Sequence, residues 1–505
     1  MMLTTLIAAA TLNAAPAQPS AFLDAHPDWM ELRAKAIELA TKHIENLDGW
    51  QPQMTCYPGS GIIWQWDSCF MSLYAGYTPG RANGLGNLDN LYKMQRADGY
   101  ISMAYTYATR EPTYGERVNP PLYAWCEWLY ARRTGDLSRL PRAYEACSKF
   151  YRWLKQNRAR KFNGLYWFED SGSSGMDNSP RCGYFAEHQK GSDVCFVDLS
   201  CQQVLSARCL AKIAPLVGKG EEAAGWLREA ETLSERINEI MWSEQTGFYH
   251  DVYIDTNNKL AVKTVAGFWP LVAGVATAER AARLVEHLQD PCTFGTEFPV
   301  PSLSADDPNF DPQGGYWLGG CWPPTNYMVV QGLKAYGYRD LARTIAARHL
   351  DQMYRVFKSD KYRQTIWECY APAYNEPATG KIGDMCRHDF VGWGGIGPIL
   401  MLVEDIIGLD VNAIEKRIEW HPSELGRQGV ANIPFNGGTV SLTADVDSLT
   451  RNSVKVTAET DRPFTLKVVA PGAAGRLFRK QVKPGKSEFN TRESYGQQDT
   501  PIVTD

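Results

Sequence analysis

The chain has 505 residues and a formal net charge of −5, with acidic and basic residues interspersed. That balance excludes the basic surface that nucleic acid or an anionic membrane would demand. The length fits roughly two to four domains, or one large helical unit with an accessory domain. Aromatic residues make up 12% of the chain, including 16 Trp; a sugar-binding cleft needs such rings, although most indoles in a chain this long fill the core.

Residues 1–17 form a short apolar run ending in Ala15-Pro16-Ala17, the pattern of a signal peptide, although Lys and Arg are missing from its start. No Cys follows it closely, which argues against a lipid anchor, and no other run is long enough to span a bilayer. Export to a periplasm or beyond is therefore expected. The 12 cysteines show neither a CxxC pair nor a His grouping suited to zinc, so no metal or other cofactor is expected. Cys182 and Cys195 are candidates for a bridge in an oxidising compartment. Cys126, Cys201 and Cys209 fall within helical patterns and read as small core residues.

Apolar spacing predicts a helix over 27–47, with Pro27 suited to the first turn. Trp64-Gln65-Trp66-Asp67-Ser68 precedes another helical run. Asp67 either caps that helix or accepts hydrogen bonds from sugar hydroxyls above a platform of Trp64 and Trp66. Further helices are predicted over 85–96, 122–133 and 141–159. Asn119, before Pro120-Pro121, either caps a helix or donates to a ligand.

Next comes Ser174-Gly175-Met176-Asp177-Asn178-Ser179-Pro180-Arg181, a tight-turn composition holding one acid. With Leu165-Tyr166-Trp167-Phe168 upstream as a dry wall, its carboxyl reads either as a surface turn former or as a general acid raised by desolvation. Helices follow over 197–213 and 221–241, the latter charged and outward-facing. A short strand pair is predicted around Gly247. Gly267-Phe268-Trp269-Pro270 opens a helix, and 278–288 follows with Thr277 as its cap. In Gly314-Gly315-Tyr316-Trp317-Leu318-Gly319-Gly320-Cys321-Trp322, the rings either pack on a ligand or turn into the core. Helices at 323 onward, 339–357 and 396–407 complete roughly twelve. Between the last two, Ile366-Trp367-Glu368-Cys369-Tyr370 sets a carboxylate among rings, Glu376 follows in a looser turn, and Trp393-Gly394-Gly395 leads into the final helix.

SGMDNSPR resembles the acid-bearing loop of the inverting α-glycosidases of glycoside hydrolase family 63 and of the related trehalases. The resemblance implies that Asp177 is the catalytic acid. The Ile366–Tyr370 stretch is similar to the family's I-x-E-x-Y segment, which implies Glu368 as the base, with Glu376 a solvated bystander. WQWDS, the Pro-Pro helix entrance and the Gly267–Pro270 stretch resemble the family's pocket-lining entrances. On that resemblance Trp64, Trp66, Asp67, Asn119, Arg181, Trp269, Trp317, Trp322, Trp367 and Trp393 are expected to bind substrate, and Asp198 matches another family entrance or serves as a cap. The chain departs from the family's YWRGPVW pattern, with Leu318 where relatives carry Arg and Gly320-Cys321 for Pro-Val.

The implied fold is mainly α: an (α/α)6 toroid over 18–412. The residues themselves show a change of texture from about Arg417. Period-two alternation at 440–444, 453–458 and 464–469, with a hairpin signal at Asn436-Gly437-Gly438, predicts a small antiparallel, sandwich-like β domain over 413–505. It ends in a polar, poorly patterned tail from 481.

The implied reaction is inverting hydrolysis of an α-glycosidic bond, with the two carboxyls roughly 6.5–9.5 Å apart to admit water. An α-glucoside is the first expectation and an α-mannoside such as mannosylglycerate the second. A non-catalytic carbohydrate-binding protein and a polysaccharide lyase on a similar frame are the other readings. An oligosaccharide or glycoside is the expected partner.

Overall fold

The computed structural model describes residues 18–491 apart from 79, 81, 183–192, 448–452 and 472–476. The expected signal segment, 1–17, lies outside the described residues.

Helices alternate along the chain between two environments. Gln65–Ser72, Tyr123–Thr134, Val197–Ile213, Trp269–Val272, Pro323–Ala335 and Ile396–Ile406 are largely or wholly buried. Each packs against the next in that order. Their sequences explain it: Ile396–Ile406 carries only Glu404 and Asp405 as charges, and every one of its residues is buried. Its end is wound wide, with i→i−5 bonds from Ile407 N to Leu402 O at 2.9 Å and Gly408 N to Val403 O at 3.1 Å. Between them stand Pro27–Lys42, Leu85–Lys93, Leu140–Arg158, Ala223–Ile240, Ala278–Gln289 and Arg339–Lys358, which bury one stripe and expose the other. Thr277 caps Ala278–Gln289, its hydroxyl accepting from Arg280 N. Pro27–Lys42 ends short of the predicted 47. It packs on both Arg339–Lys358 and Ile396–Ile406, joining the start of the helical region to its end.

Two sheets follow. One has five strands, in the order Ser20–Leu23, Gly426–Phe435, Gly438–Val446, Val454–Thr460 and Gly485–Asn490. The other has four: Leu409–Asn412, Arg417–Trp420, Phe464–Val469 and Leu477–Val482. Asn436 and Gly437, at φ +52° and +70°, make the predicted hairpin turn. Phe435 meets Phe464 at 5.4 Å and Phe478 meets Phe489 at 5.0 Å, so rings from the two sheets touch.

Two sequence expectations need correction here. Arg417–Trp420 pairs parallel with Phe464–Val469, so the sheets are not purely antiparallel. Strand Gly485–Asn490 and the end of strand Leu477–Val482 fall in the stretch from 481 read as unpatterned tail; both are solvent-facing edge strands, whose polar residues hide the alternation. Ser20–Leu23, far away in sequence, supplies the opposite edge. All twelve cysteines are free thiols, Cys182 and Cys195 included.

Candidate active site

The loop carrying Asp177 is fixed from three sides. Gly175 has φ +80°, and a Cβ there would lie 2.2 Å from the Trp66 ring, so only glycine lets the loop rest on that indole. Asn178 donates to Gly315 O at 2.9 Å and accepts from Trp317 N at 2.9 Å, tying the loop to the glycine-rich segment. Arg181 is fully buried, forked between Asp198 (2.6 and 3.0 Å) and Asp251 (2.7 and 2.8 Å). A buried guanidinium with two carboxylates is a rigid anchor, costly to break by removing one partner. Asn119 adds a bond to Ser173 O at 2.9 Å.

Glu368 sits on an extended strip paired with 387–390. Its N–H donates to Arg387 O at 2.9 Å, while its Oε2 accepts from Arg387 N at 3.2 Å. Trp393 Nε1 donates to its carbonyl at 2.9 Å, and the Tyr316 hydroxyl donates to Oε1 at 2.9 Å. Tyr316 reaches it from a left-handed backbone, φ +63°, directly after Gly314 and Gly315.

Asp177 and Glu368 open onto one cavity of about 570 Å³, which Trp64, Trp66, Asp67, Asn119 and Trp393 also line. Burial pushes the Glu368 carboxyl up to about 7, against the Tyr316 bond and the Arg387 charge that favour its ionised form; the Asp177 charge adds to the rise. Asp67 is likewise raised to about 7 by burial, with the Cys56 thiol favouring the carboxylate and Glu368 and Asp177 opposing it. Asp177 is raised by desolvation and pulled back by its ion pair with Lys381. Its side chain lines the cavity and keeps 31% of its surface accessible. Three mutually repelling carboxyls in one cavity are the arrangement from which acid and base roles separate.

Other expected contacts lie elsewhere. Trp317 and Trp322 are buried and stacked at 3.9 Å behind Trp66, whose ring is 6.0 Å from Trp317. They back the wall and do not face the cavity. Trp269 is buried at the start of its helix. Trp367 turns away from the side Glu368 faces, its Nε1 donating to Tyr362 O at 3.3 Å. Arg181 anchors the loop and does not line the cavity. Asp67 does not cap its helix, which starts at Gln65 without a side-chain cap; it lies in the first turn. Asp198 serves Arg181, and its Oδ1 accepts from Leu199 N at 2.9 Å. Glu376 is on the surface with Lys361, at 3.2 Å.

Tyr57, Tyr114, Arg117, Asp170, Lys381 and Arg387 line the cavity without having stood out in the sequence, and Tyr316, from the glycine- and ring-rich stretch, lines it with them. Tyr316, between a double glycine and Trp317, offered the clearest available signal. Trp64 stacks on Tyr114 at 5.5 Å, extending an aromatic wall at the cavity. Among the described residues no group of three His, Cys, Asp or Glu is disposed to hold a metal ion, and no helix is long and apolar enough to cross a membrane.

A helical frame whose loops bring paired carboxyls and aromatic walls to one cavity is the architecture of a glycoside hydrolase. Residues 61–385 match the family described as the mannosylglycerate hydrolase MGH1-like glycoside hydrolase domain, and the chain belongs to that family. An uncharacterized protein of Borreliella burgdorferi is 26% identical over 384 residues, 75% of this chain and 78% of its own. Mannosylglycerate hydrolase of Thermus thermophilus is 35% identical over 119 residues, 23% of this chain and 28% of that protein. The crystal structure of a family 63 mannosylglycerate hydrolase from Thermus thermophilus in complex with glucose shares the fold, with TM-score 0.60 and 22% identity, covering 73% of this chain and 99% of that one. The protein is thus a glycoside hydrolase acting on a carbohydrate.

Proposed function

We propose that the protein hydrolyses an α-glycosidic bond with inversion, Asp177 protonating the leaving oxygen and Glu368 taking a proton from the attacking water. The observation that carries this reading is that both carboxyls open onto the same cavity and the protonation of Glu368 feels the charge of Asp177. A raised carboxyl suits an acid, and a base poised at about 7 works close to neutral pH. Trp64, Trp66, Asp67, Asn119 and Trp393 then hold the sugar, with rings on its C–H faces and polar groups on its hydroxyls.

The helices are read as an (α/α)6 toroid. Support comes from six buried helices packed in sequence, six half-exposed ones between them, and Pro27–Lys42 packed on the last pair. An α-mannoside stands beside an α-glucoside as substrate, because the family description and the Thermus thermophilus relatives carry the name mannosylglycerate hydrolase. A pure binding protein has no need of two raised carboxyls.

The test is kinetic. On whichever α-glucoside or α-mannoside the wild type turns over, Asp177→Asn and Glu368→Gln should each lower kcat by about 10²–10⁴-fold. Wild-type rates in both variants, with thermal melts showing intact folding, would remove the assignment.

A further inference from the structure

Three cations line the cavity among the described residues: Arg117, Lys381 and Arg387. Two already have carboxyl partners. Arg117 bridges Asp170 at 2.9 Å, and Lys381 pairs with Asp177. Both belong to the acid side, since Lys381 and Asp170 are the charges that act on Asp177.

Arg387 is different. Its backbone N–H holds Glu368 Oε2, and its charge acts on Glu368, so it stands on the base side. Its guanidinium lies 4.4 Å over the Tyr57 ring and has no carboxylate or hydrogen-bonding partner among the described residues. Stacking on a ring restrains the planar fork without consuming its N–H donors. Asp67, protonated below about 7, adds little repulsion toward an anion, and the Arg387 charge offsets that of Glu368 beside it. A forked, unpaired guanidinium matches the oxygens of a carboxylate or a sulfate ester better than a lone hydroxyl.

In an inverting site the base faces the sugar whose anomeric carbon is attacked, on the side away from the leaving group. We propose that Arg387 binds an anionic substituent, carboxylate or sulfate ester, carried by that sugar and not by the leaving group. The inference rests on the cavity being the sugar site proposed above, and it narrows the substrate class to acidic glycosides.

Calorimetric binding tests it on wild type, Arg387→Met and Arg387→Lys, with the cleavable glycosides titrated in the Asp177→Asn background to suppress turnover. The ligands are D-glucuronate and D-glucose 6-sulfate against D-glucose, and D-mannuronate against D-mannose. Carboxymethyl α-glycosides of glucose and mannose place the charge on the leaving-group side. The wild type should prefer acidic sugars over their neutral counterparts, with the uronate and sulfate arms telling which substituent is used. Arg387→Met should weaken acidic-sugar binding by about 10- to 100-fold, the worth of a charge-assisted bond, while neutral sugars are unaffected. Arg387→Lys should retain part of the preference.

No acidic-sugar preference in the wild type, equal losses for neutral and acidic sugars, or a loss confined to the carboxymethyl glycosides would each overturn the inference. Hydrolysis with anion binding independent of Arg387 would refute this inference alone. Arg387-dependent anion binding with no hydrolysis of any glycoside would refute the hydrolytic reading alone.

Discussion

The Tyr316 hydroxyl donates a 2.9 Å hydrogen bond to Glu368 Oε1 from a residue whose φ is +63°. Such a backbone costs a side-chain-bearing residue on the order of 1–3 kcal/mol and persists only where its surroundings over-determine it. Here Gly314 and Gly315 precede it and Asn178 holds both Gly315 O and Trp317 N. The strained turn therefore sits between the Asp177 loop and Glu368.

Tyr316→Phe removes a bond to the charged form of Glu368, so its carboxyl should titrate above about 7. A base must be ionised to act, and the acidic limb of the kcat/KM profile should move to higher pH. The loss should reach about tenfold at pH 6, the scale of one bond to a charged group, and shrink toward pH 8. A pH–rate profile of the variant checks this; a uniform loss at every pH would mean that the hydroxyl does not tune the base.

Lys381 pairs with Asp177 and lies 5.2 Å from the Tyr316 ring centroid. Its ammonium favours the ionised carboxylate, so Lys381→Met should raise the Asp177 pKa further. An acid must be protonated to act, and the basic limb of the profile should move to higher pH. An unchanged basic limb would separate Asp177 from the acid role.

Glu368 illustrates the stability cost of a poised carboxyl. Its folded value of about 7 lies above the ordinary 4.5, so the folded state holds the proton more tightly than the unfolded chain. The sign follows: stability is fullest below about 4.5 and is lost as pH rises through about 7. Glu368→Gln removes that loss. The variant should be more stable than wild type at pH 8, by about 3 kcal/mol, with the gap closing below pH 4.5. Denaturant melts at the two pH values measure it.

The sequence marked Asp177 and Glu368 as candidates because each stands in a run whose residue types and order are specific, and the structure brings both to one cavity; the helical alternation was legible because burial is written in charge spacing. The indoles were harder. Trp66 and Trp393 line the cavity while Trp317 and Trp322 back it, yet composition is the same for a ring that faces a ligand and a ring that supports one. Arg181 misled because its partners, Asp198 and Asp251, lie 17 and 70 residues away. Arg117, Lys381 and Arg387 come from loops and keep much of their surface open to solvent, so nothing local sets them apart from other surface charges until the fold brings them to the cavity. Ser20–Leu23 escaped notice as a strand because its partner, Gly426–Phe435, is some four hundred residues downstream.

The most direct measurement is the anomeric form of the first sugar released, followed by ¹H NMR from the moment wild-type protein is added to an α-glycoside it cleaves. Delivery of water by Glu368 to the face opposite the bond that Asp177 protonates predicts the β-anomer first, with the α-anomer growing in only by mutarotation. Initial release of the α-anomer, or of an unsaturated uronide, would contradict the account.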